Sequence, residues 1–511
     1  MNTNKKFKLA TMLFAILTVS VFGQAIDWSA TNITITTETQ LRELAIRVSN
    51  MGQSFNGQTI TLANDIDISS AAWNLPIGVW ENDNQNHHFR GTFDGNGKSI
   101  IGLHTANNNT GNFQGLFGVL RGTIKNLILA EVRIRGGSDV GGLVGRNHGG
   151  TIENTSLFGL STDGIIEGVI DISGSGNSVG GLVGRNQNGR IINSRVIATV
   201  QGRQDVGGLV GWNVGGVIER SYFAWQVSGH SESPEANSHV GGLVGRNSGV
   251  SALINNSYFT GEIIGFRSTA GIGGLVGRNE SNATIQNSYS VSHLNLSGVR
   301  QIEGMLVGQN AVNSSVLNSY ASGRISIRVG VWTNLPVIPL IGTNSGAVLS
   351  SATKTEEEMR QQSTFVDWDF ENIWEMKDSW VNDGFPSLRI PHDCSLRPCN
   401  DINCNICNPS SIRPRETETR QYGIILEENP VSDSAVIFVR TPESATITLR
   451  ILDNLGNTVF ETNGINTDTF TWNLRNQAGR LVTSGTYLIL VEARGQSGRF
   501  FLYSSRVGVN R

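Results

Sequence analysis

Short apolar runs separated by glycine and asparagine recur through the middle of the chain. One heptapeptide, GGLVGRN, occurs four times, and close variants occur twice, at 141–147, 180–186, 241–247, 273–279, 207–213 and 304–310. Degenerate copies at Gly115 and Pro339 extend the series to eight units, spaced 27 to 39 residues apart. Repeats of this length are typical of solenoids, in which each unit buries its apolar face against the next unit.

Each unit predicts three short strands. GGLVGRN supplies the first, an asparagine turn leads to a second with the pattern Ile-x-Asn-Ser/Thr, as at 152–155 and 285–288, and a third closes the coil, as at 261–265. Three strands per turn with parallel neighbours predict a β-helix of about eight coils. We expect it to be right-handed, as most parallel β connections are.

Equivalent positions of successive coils should stack into ladders. One ladder would consist of asparagines, namely Asn147, Asn186, Asn213, Asn247, Asn279, Asn310 and Asn344. A second would consist of the tyrosines Tyr222, Tyr258, Tyr289 and Tyr320. Stacked amides would bond one another at a corner, and stacked aromatic rings would fill the lumen or cover a face.

The flanks of the repeat block, 111–350, predict caps, because an open solenoid end exposes unpaired strand edges. Residues 24–110 should form an N-terminal cap with a helix that starts at a capping box, 37–40. Residues 351–391 should form a C-terminal cap with a short helix after a second capping box, 355–358. Residues 392–420 have the composition of a linker, and apolar alternation in 421–511 predicts a small β-sandwich.

The first 23 residues have the pattern of a secretory signal peptide. Lys5, Lys6 and Lys8 precede an apolar stretch, 9–22, and small residues follow it. No later segment has the roughly 18 consecutive apolar residues that a membrane-spanning helix needs. We therefore expect an exported mature chain without a transmembrane segment, at the cell surface or outside the cell.

Composition agrees with many short strands and argues against nucleic-acid binding. Of 511 residues, 61 are glycine and 16% are charged, and the formal net charge is −3. The repeat block holds 16 basic and 13 acidic residues, which is not the concentrated basic surface of a nucleic-acid-binding protein.

Four cysteines lie close together in the linker, at Cys394, Cys399, Cys404 and Cys407. In an exported chain they are candidates for two disulfides, in any of three pairings. Their C-x4-C-x4-C-x2-C spacing also leaves a zinc site open. We expect no other metal site and no cofactor.

Catalytic patterns are sparse. None of the eight histidines begins the H-E-x-x-H motif of a zinc protease. Asp139 and Asp205 share one coil position but lie two rungs apart, with Ser178 between them and His239 next, which is too sparse for a calcium cage like that of β-helix lyases. We interpret these residues as polar groups at an exposed corner. A Ser-His-Asp site stays open, although no G-x-S-x-G elbow occurs.

A row of arginines is the best candidate for a binding site. Arg146, Arg185, Arg246 and Arg278 occupy one repeat position, and Trp212 replaces arginine in the middle unit. Arginines stacked at the rung spacing repel one another, so they should face water or an anion. Trp212 would stack on a sugar or on the flanking guanidiniums. The row predicts a shallow groove for an anionic glycan or an acidic partner, or else a solvated face.

The repeats resemble the GLUG-motif family of bacterial exported and surface proteins. The segments FRGTFDGNG (89–97), TEEEMRQQSTFVDWDF (355–370) and GFPSLRI (384–390) resemble the usual flanks of such blocks, so the resemblance covers about 55–391. It implies a β-solenoid and surface display, but no single shared activity.

The tail resembles the Ig-like C-terminal domain of proteins exported by the type IX secretion system of Bacteroidota. The matching residues are 429–431, 452–456, Trp472, Leu474, Gly479, Val482, Gly485 and Tyr487, whereas 504–511 lacks the usual lysine. The resemblance implies an export address recognised by the outer-membrane secretion machinery.

Together these features predict a non-enzymatic surface or secreted protein that binds a host, matrix or polysaccharide ligand. A polysaccharide-active β-helix enzyme and a structural surface component are the alternatives.

Overall fold

The computed structural model describes residues 26–82, 85–106, 109–158, 171–229, 238–265, 271–297, 303–329, 331–334, 339–376, 382–389, 423–426, 431–440, 445–453, 458–465, 469–495 and 500–510. The chain divides into two compact units, Met1–Asn400 and Asp401–Arg511. The proposed signal peptide and the four cysteines lie outside the described residues.

The first unit is a parallel β-solenoid of about nine turns. Sheet A consists of Asn32–Ile35, Thr59–Leu62, Thr92–Asp94, Thr123–Lys125, Thr151–Glu153, Arg190–Ile192, Val217–Glu219, Leu253–Asn255, Thr284–Gln286, Ser315–Leu317 and Ala347–Leu349. Sheet B consists of Ile66–Asp67, Ser99–Ile101, Ile128–Ala130, Arg133–Gly136, Ser156–Phe158, Asp171–Gly174, Arg195–Gly202, Tyr222–Gly229, Tyr258–Gly265, Tyr289–Ser297, Tyr320–Val329, Val331–Asn334 and Ala352–Thr353.

Two further sheets complete each coil. Sheet C consists of Phe117–Leu120, Val144–His148, Val183–Gln187, Val210–Val214, Val244–Ser248, Val276–Glu280, Val307–Asn310 and Ile341–Asn344. Sheet D is narrow and consists of Val140–Gly141, Asn177–Gly180, Gln204–Gly207, His239–Gly241, Gly271–Gly273 and Glu303–Gly304.

The eight aligned repeats are the eight strands of sheet C, so the predicted repeat register is confirmed. The solenoid nevertheless has about nine turns rather than eight, because it starts before the repeats. Three strands of the N-terminal segment, the first at Asn32–Ile35, are the first three strands of sheet A. The expectation of three strands per coil was also too low, since the residues just before each Gly-Leu-Val-Gly form the additional sheet D.

The glycines of the repeat allow the coil to turn sharply against its neighbour. A Cβ atom on Gly242 would lie 2.2 Å from the carbonyl oxygen of Gly274 and 2.2 Å from Cδ1 of Phe259. The leucine that follows, Leu243, is fully buried, as are its equivalents Leu143, Leu182, Leu209, Leu275 and Leu306. Burial of each such leucine stabilises the fold by about 1.5–3 kcal/mol, and a larger residue at the glycine would push the coils apart.

The predicted asparagine ladder is confirmed. From Asn147 to Asn310, each side-chain Nδ2 donates a hydrogen bond of 2.8–2.9 Å to Oδ1 of the next asparagine, ending at Asn344. These six donors are 0–1% exposed. The ladder therefore satisfies, in each coil, a polar group that would otherwise be buried without a partner.

The Ile-x-Asn-Ser/Thr pattern holds a second ladder that the sequence interpretation missed. Its asparagine adopts a positive φ of 45–54° at the corner after sheet A, in Asn126, Asn154, Asn193, Asn256, Asn287 and Asn318. The backbone N–H of the next residue donates to a hydroxyl one coil further on, for example from Ser257, which follows Asn256, to Ser288 at 3.1 Å. That hydroxyl in turn donates to the carbonyl oxygen two residues before it, Gln286, at 2.7 Å. Asparagine tolerates the left-handed conformation, and serine bridges the coils, so the motif makes this corner.

The tyrosine ladder covers an outer face of sheet B and does not fill the lumen. The rings of Tyr222, Tyr258 and Tyr289 stack with centroids 4.6 and 4.9 Å apart. The segment after the last coil packs on them, with Trp374 5.9 Å from Tyr289. The Tyr289 hydroxyl donates to the carbonyl oxygen of Pro386 at 2.7 Å. The described C-terminal segment thus packs along the flank of the solenoid over three coils.

Both predicted helices are present, at Glu38–Ser49 and Glu356–Met359. The second begins with the predicted capping box, in which Thr355 and Glu358 bond reciprocally. In the first, Thr37 accepts from the backbone of Gln40, but the Gln40 side chain accepts from the backbone of Thr36, one residue earlier. Short 3-10 turns occur at Gln362–Thr364 and Asn382–Gly384, and small hairpins pair Val79–Asn82 with Gln85–His87 and Trp374–Glu375 with Ser387–Leu388.

The second unit contains two small antiparallel sheets. One consists of Gly423–Leu426, Ala435–Arg440 and Thr469–Trp472, and the other of Thr458–Ile465, Ala445–Leu452, Gly485–Gly495 and Phe500–Val509. Trp472 is fully buried, and its ring meets that of Tyr487 at 5.5 Å. Among the helices of the described residues, none combines the length and hydrophobicity needed to cross a membrane.

Candidate functional site

The five residues predicted to form the binding row stand in one column on the outer face of sheet C. The strand register pairs Arg146 with Arg185, Arg185 with Trp212, Trp212 with Arg246, and Arg246 with Arg278. All five are half-buried. They face outward because they alternate along their strands with the inward-facing asparagines of the ladder. We call this set the arginine column.

Trp212 is held between two guanidinium groups. Cζ of Arg185 lies 4.2 Å from its ring centroid and Cζ of Arg246 lies 4.6 Å from it. The indole N–H donates to the hydroxyl of Ser248 at 2.8 Å. Both faces of the ring are therefore covered by cations, so of the two roles expected for Trp212 the structure shows stacking on the flanking guanidiniums.

Three arginines of the column have buried carboxylate partners. Asp139 pairs with Arg146 at 2.5 Å. Glu280 pairs with both Arg246 and Arg278, the second contact at 2.6 Å. These buried carboxylates offset much of the repulsion between the stacked arginines. From the sequence we had expected water or an external anion to do so.

The interpretation of Asp139, Ser178, Asp205 and His239 as an exposed corner is wrong. They are only 4%, 1%, 6% and 1% exposed. They occupy one position on consecutive strands of sheet D, behind the arginine column, where positive φ angles of 46–63° at the first three turn the chain. Burial raises the pKa of Asp139, and the Arg146 guanidinium opposes that shift.

The buried Asp205 binds His239, with 2.8 Å between Oδ1 and Nδ1. Its other oxygen, Oδ2, lies 4.0 Å from Arg246. Asp139 and Asp205 are thus occupied by protein cations and by an imidazole, which does not suit a calcium cage. In the described part of the chain, no three His, Cys, Asp or Glu side chains lie close enough to hold a metal ion.

Arg185 differs from the other arginines of the column. It makes no salt bridge with any described residue, and its buried Nε has no hydrogen-bond partner there. Burial lowers the pKa of its guanidinium, and the charges of Asp139 and Asp205 oppose that shift. Trp212 therefore holds in place a cation that, among the described residues, has no carboxylate in contact.

The sequence interpretation missed a second outward column on sheet C, two residues further along each strand. It runs through Arg121, His148, Gln187, Val214, Ser248 and Glu280. It contains both the carboxylate that pairs with Arg246 and Arg278 and the hydroxyl that binds Trp212. The signal was available, since all of these residues except Arg121 directly follow the ladder asparagine of their repeat.

Comparison with known proteins agrees with this architecture. The family described as the GLUG motif matches residues 175–201 and 236–264. Halomucin of Haloquadratum walsbyi is 31% identical over 124 residues, which are 22% of this chain and 1% of halomucin.

Among solved structures, an IgA1 protease aligns with 92% of this chain and 34% of its own, at 13% identity and a TM-score of 0.38. PorZ, a surface component of the type-IX secretion system of Porphyromonas gingivalis, aligns with 17% of this chain and 12% of its own, at 25% identity and a TM-score of 0.14. The GLUG motif therefore matches two segments of the repeat block, and the described fold of that block is a parallel β-solenoid.

Proposed function

We propose that this chain is a surface-displayed or secreted binding protein of the adhesin type, with the arginine column as a contact surface for an acidic glycan or another acidic ligand. Arg185 is the observation that carries the proposal. It is a half-buried cation that an aromatic ring fixes and that pairs with no carboxylate of the described residues, so it is suited to receive an anion from outside. A long parallel flank that repeats the same side chains also suits an extended ligand better than a compact one.

The proposal includes export. The basic and apolar pattern of residues 1–23, the matched GLUG motif and the similarity to halomucin support a surface or secreted location. The second unit, with its two antiparallel sheets, would be the Ig-like sorting domain that the outer-membrane secretion machinery recognises. Cys394, Cys399, Cys404 and Cys407 would form disulfides in the linker outside the cell.

The test of binding is a panel of immobilised polysaccharides and matrix proteins, probed with the mature chain and with Arg185→Gln. Retention of the wild-type chain on an acidic member, weakened in the variant, would support the proposal. Failure of the wild-type chain to bind any member would refute a binding role of this kind.

The export proposal has its own test, which is localisation of a tagged chain in cells with and without the type IX exporter. Retention in the periplasm of the exporter mutant is the expected result. Unchanged surface display in that mutant would refute the assignment of the tail.

One observation favours the enzymatic alternative, namely the hydrogen-bonded pair of Asp205 and His239. A carboxylate that orients an imidazole is a common acid–base arrangement. Here, however, His239 is 1% exposed, so a polysaccharide would reach it only after neighbouring side chains moved aside. Release of reducing ends or unsaturated products from acidic polysaccharides, lost in His239→Ala, would establish that alternative.

A further inference from the structure

The two outward columns of sheet C differ in charge from one end to the other. Toward the C-terminal end, Glu280 pairs with both Arg246 and Arg278. Asp205 lies behind them, 4.0 Å from Arg246. Two arginines therefore face two buried carboxylates, and this end is close to neutral.

The N-terminal end has an excess of positive charge. Asp139 pairs with Arg146 alone. Neither Arg121 nor Arg185 makes an ion pair with a described residue, and the exposed Arg90 precedes Arg121 in the stack, as the bridge between Phe89 and Leu120 shows. Arg121 instead places Nη2 3.2 Å from Nδ1 of His148. Among the described residues, no carboxylate therefore offsets the charge of the Arg121 guanidinium.

A buried histidine beside this surface lacks any hydrogen-bond partner. His88 is 3% exposed, and neither of its ring nitrogens is bonded to a described group. Its ring lies 5.2 Å from that of Trp80 and 6.3 Å from that of His148. Burial, followed by the charge of Arg121, lowers the pKa of His88 to about 4. An imidazole left unbonded among cations is a polar group for which an anion is the natural partner.

We propose that the N-terminal end of this face binds the oxyanion groups of an acidic polysaccharide, with Arg121 and Arg185 as the direct ligands. This proposal rests on the proposed function and narrows it to the N-terminal end of sheet C and to one ligand chemistry. Guanidinium groups bind sulfate, phosphate and carboxylate oxygens through paired hydrogen bonds. Arg121 and Arg185 belong to strands two rungs apart, roughly 10 Å along the axis, so they suit successive charged groups of one polymer better than a single small ion.

Trp80 completes the surface. The guanidinium of Arg146 lies 5.3 Å from its ring centroid, and the His148 ring lies 5.5 Å from it in a tilted arrangement. The ring therefore contacts both columns at their N-terminal end, through Arg146 and His148. A sugar chain that bound both Arg121 and Arg185 would pass beside the Trp80 ring.

The experiment uses the full mature chain and measures the Kd for dextran sulfate, polygalacturonate, neutral dextran and inorganic sulfate in 50 mM and 150 mM salt. The double variant R121Q/R185Q should bind the acidic polymers roughly tenfold more weakly, as the loss of two charged hydrogen-bonding groups implies. R121K/R185K keeps both charges and should bind more tightly than the glutamine variant. Higher salt should weaken binding of the wild-type chain.

The matched control is R133Q/R190Q, which removes two exposed arginines from sheets B and A. It carries the same change in net charge and should bind like the wild-type chain. Circular dichroism of every variant verifies the solenoid. If both glutamine variants bind the acidic polymers equally well, or if inorganic sulfate binds as tightly per site as the polymers, the assignment to Arg121 and Arg185 is overturned while the binding role stands. If the wild-type chain binds no member of this set or of the wider panel, the binding role itself fails.

Discussion

Replacement of Asn213 by alanine tests how the coils are held together. Asn213 is fully buried in the middle of the asparagine ladder. Its Nδ2 donates to Oδ1 of Asn247 and to the carbonyl oxygen of Gly216, both at 2.8 Å, and its Oδ1 accepts from Asn186 at 2.8 Å. The substitution removes all three hydrogen bonds and leaves a donor and two acceptors without partners in the core.

The expected cost follows from these contacts. A hydrogen bond contributes about 1 kcal/mol net, and a buried polar group left unpaired costs about 1–3 kcal/mol, so we expect the free energy of unfolding to fall by about 3–5 kcal/mol. Asn344, at the end of the ladder, is exposed and donates to no other ladder member. Asn344→Ala removes one ladder hydrogen bond, the one that the buried Asn310 donates to it, and should therefore cost about 1–2 kcal/mol.

Urea unfolding followed by circular dichroism measures both variants against the wild-type chain. Amide hydrogen exchange at the strands beside position 213 then locates the effect, because each coil of a solenoid contacts only its neighbours. Equal losses of stability in the two variants would show that burial and coupling along the ladder do not determine its contribution.

Three further predictions concern the repeat glycine, the C-terminal segment and the buried imidazole. Gly242→Ala should lower the free energy of unfolding by about 3 kcal/mol through overpacking. Gly271→Ala, whose Cβ would approach no atom closer than 3.0 Å, should lower the melting temperature far less. Similar melting temperatures of the two variants would contradict this. Tyr289→Phe loses bonds to Pro386 and Asn382, both at 2.7 Å, so it should lower stability by about 1–2 kcal/mol and speed proteolysis within 355–389. The half-buried Tyr222, replaced by phenylalanine, is the control, and equal cleavage rates would refute the role of the hydroxyl. In the folded chain the pKa of His88 is about 4, against an ordinary value of 6.5. Below pH 6.5 the unfolded chain therefore gains a proton that the folded chain does not gain. The free energy of unfolding should fall as the pH drops toward 4. In His88→Phe this fall should be smaller by up to about 3 kcal/mol, as urea midpoints at pH 7 and pH 4.5 would show; an unchanged pH dependence would disprove the assignment.

The repeat register made most of the solenoid predictable. Because Gly-Leu-Val-Gly-x-Asn occurs in near-identical copies, alignment alone placed Asn147, Asn186 and their successors in one ladder, and the arginines and Trp212 in one column. The turns before the repeats were harder to predict, since Asn32–Ile35 and Thr59–Leu62 form coils without the motif. These strands belong to sheet A because their backbones pair with strands distant in the sequence. A local sequence pattern does not encode such pairing.

The charges of the candidate site were only partly predictable. The arginines recur at one position of the motif, but their carboxylate partners come from different positions: Asp139 precedes Arg146 by seven residues on sheet D, whereas Glu280 follows Arg278 by two on the same strand. Whether a given arginine is neutralised depends on how sheet D folds behind sheet C. A composition count of the repeat block cannot distinguish a paired arginine from an unpaired one.

This dependence on single substitutions explains how a uniform scaffold can carry a localised site. Every coil repeats the same backbone, so the surface differs only where a side chain of a column changes. Glu280, for example, occupies the position that His148 holds four strands earlier in sheet C. That exchange turns a cationic end into a neutral one without altering any strand. An extended acidic ligand would therefore meet a graded face and bind with a preferred direction along the axis. Transfer of the acidic group to the cationic end, by His148→Glu, should pair Arg121 and weaken binding of dextran sulfate about as much as R121Q does; undiminished binding in His148→Glu would contradict the reasoning from charge.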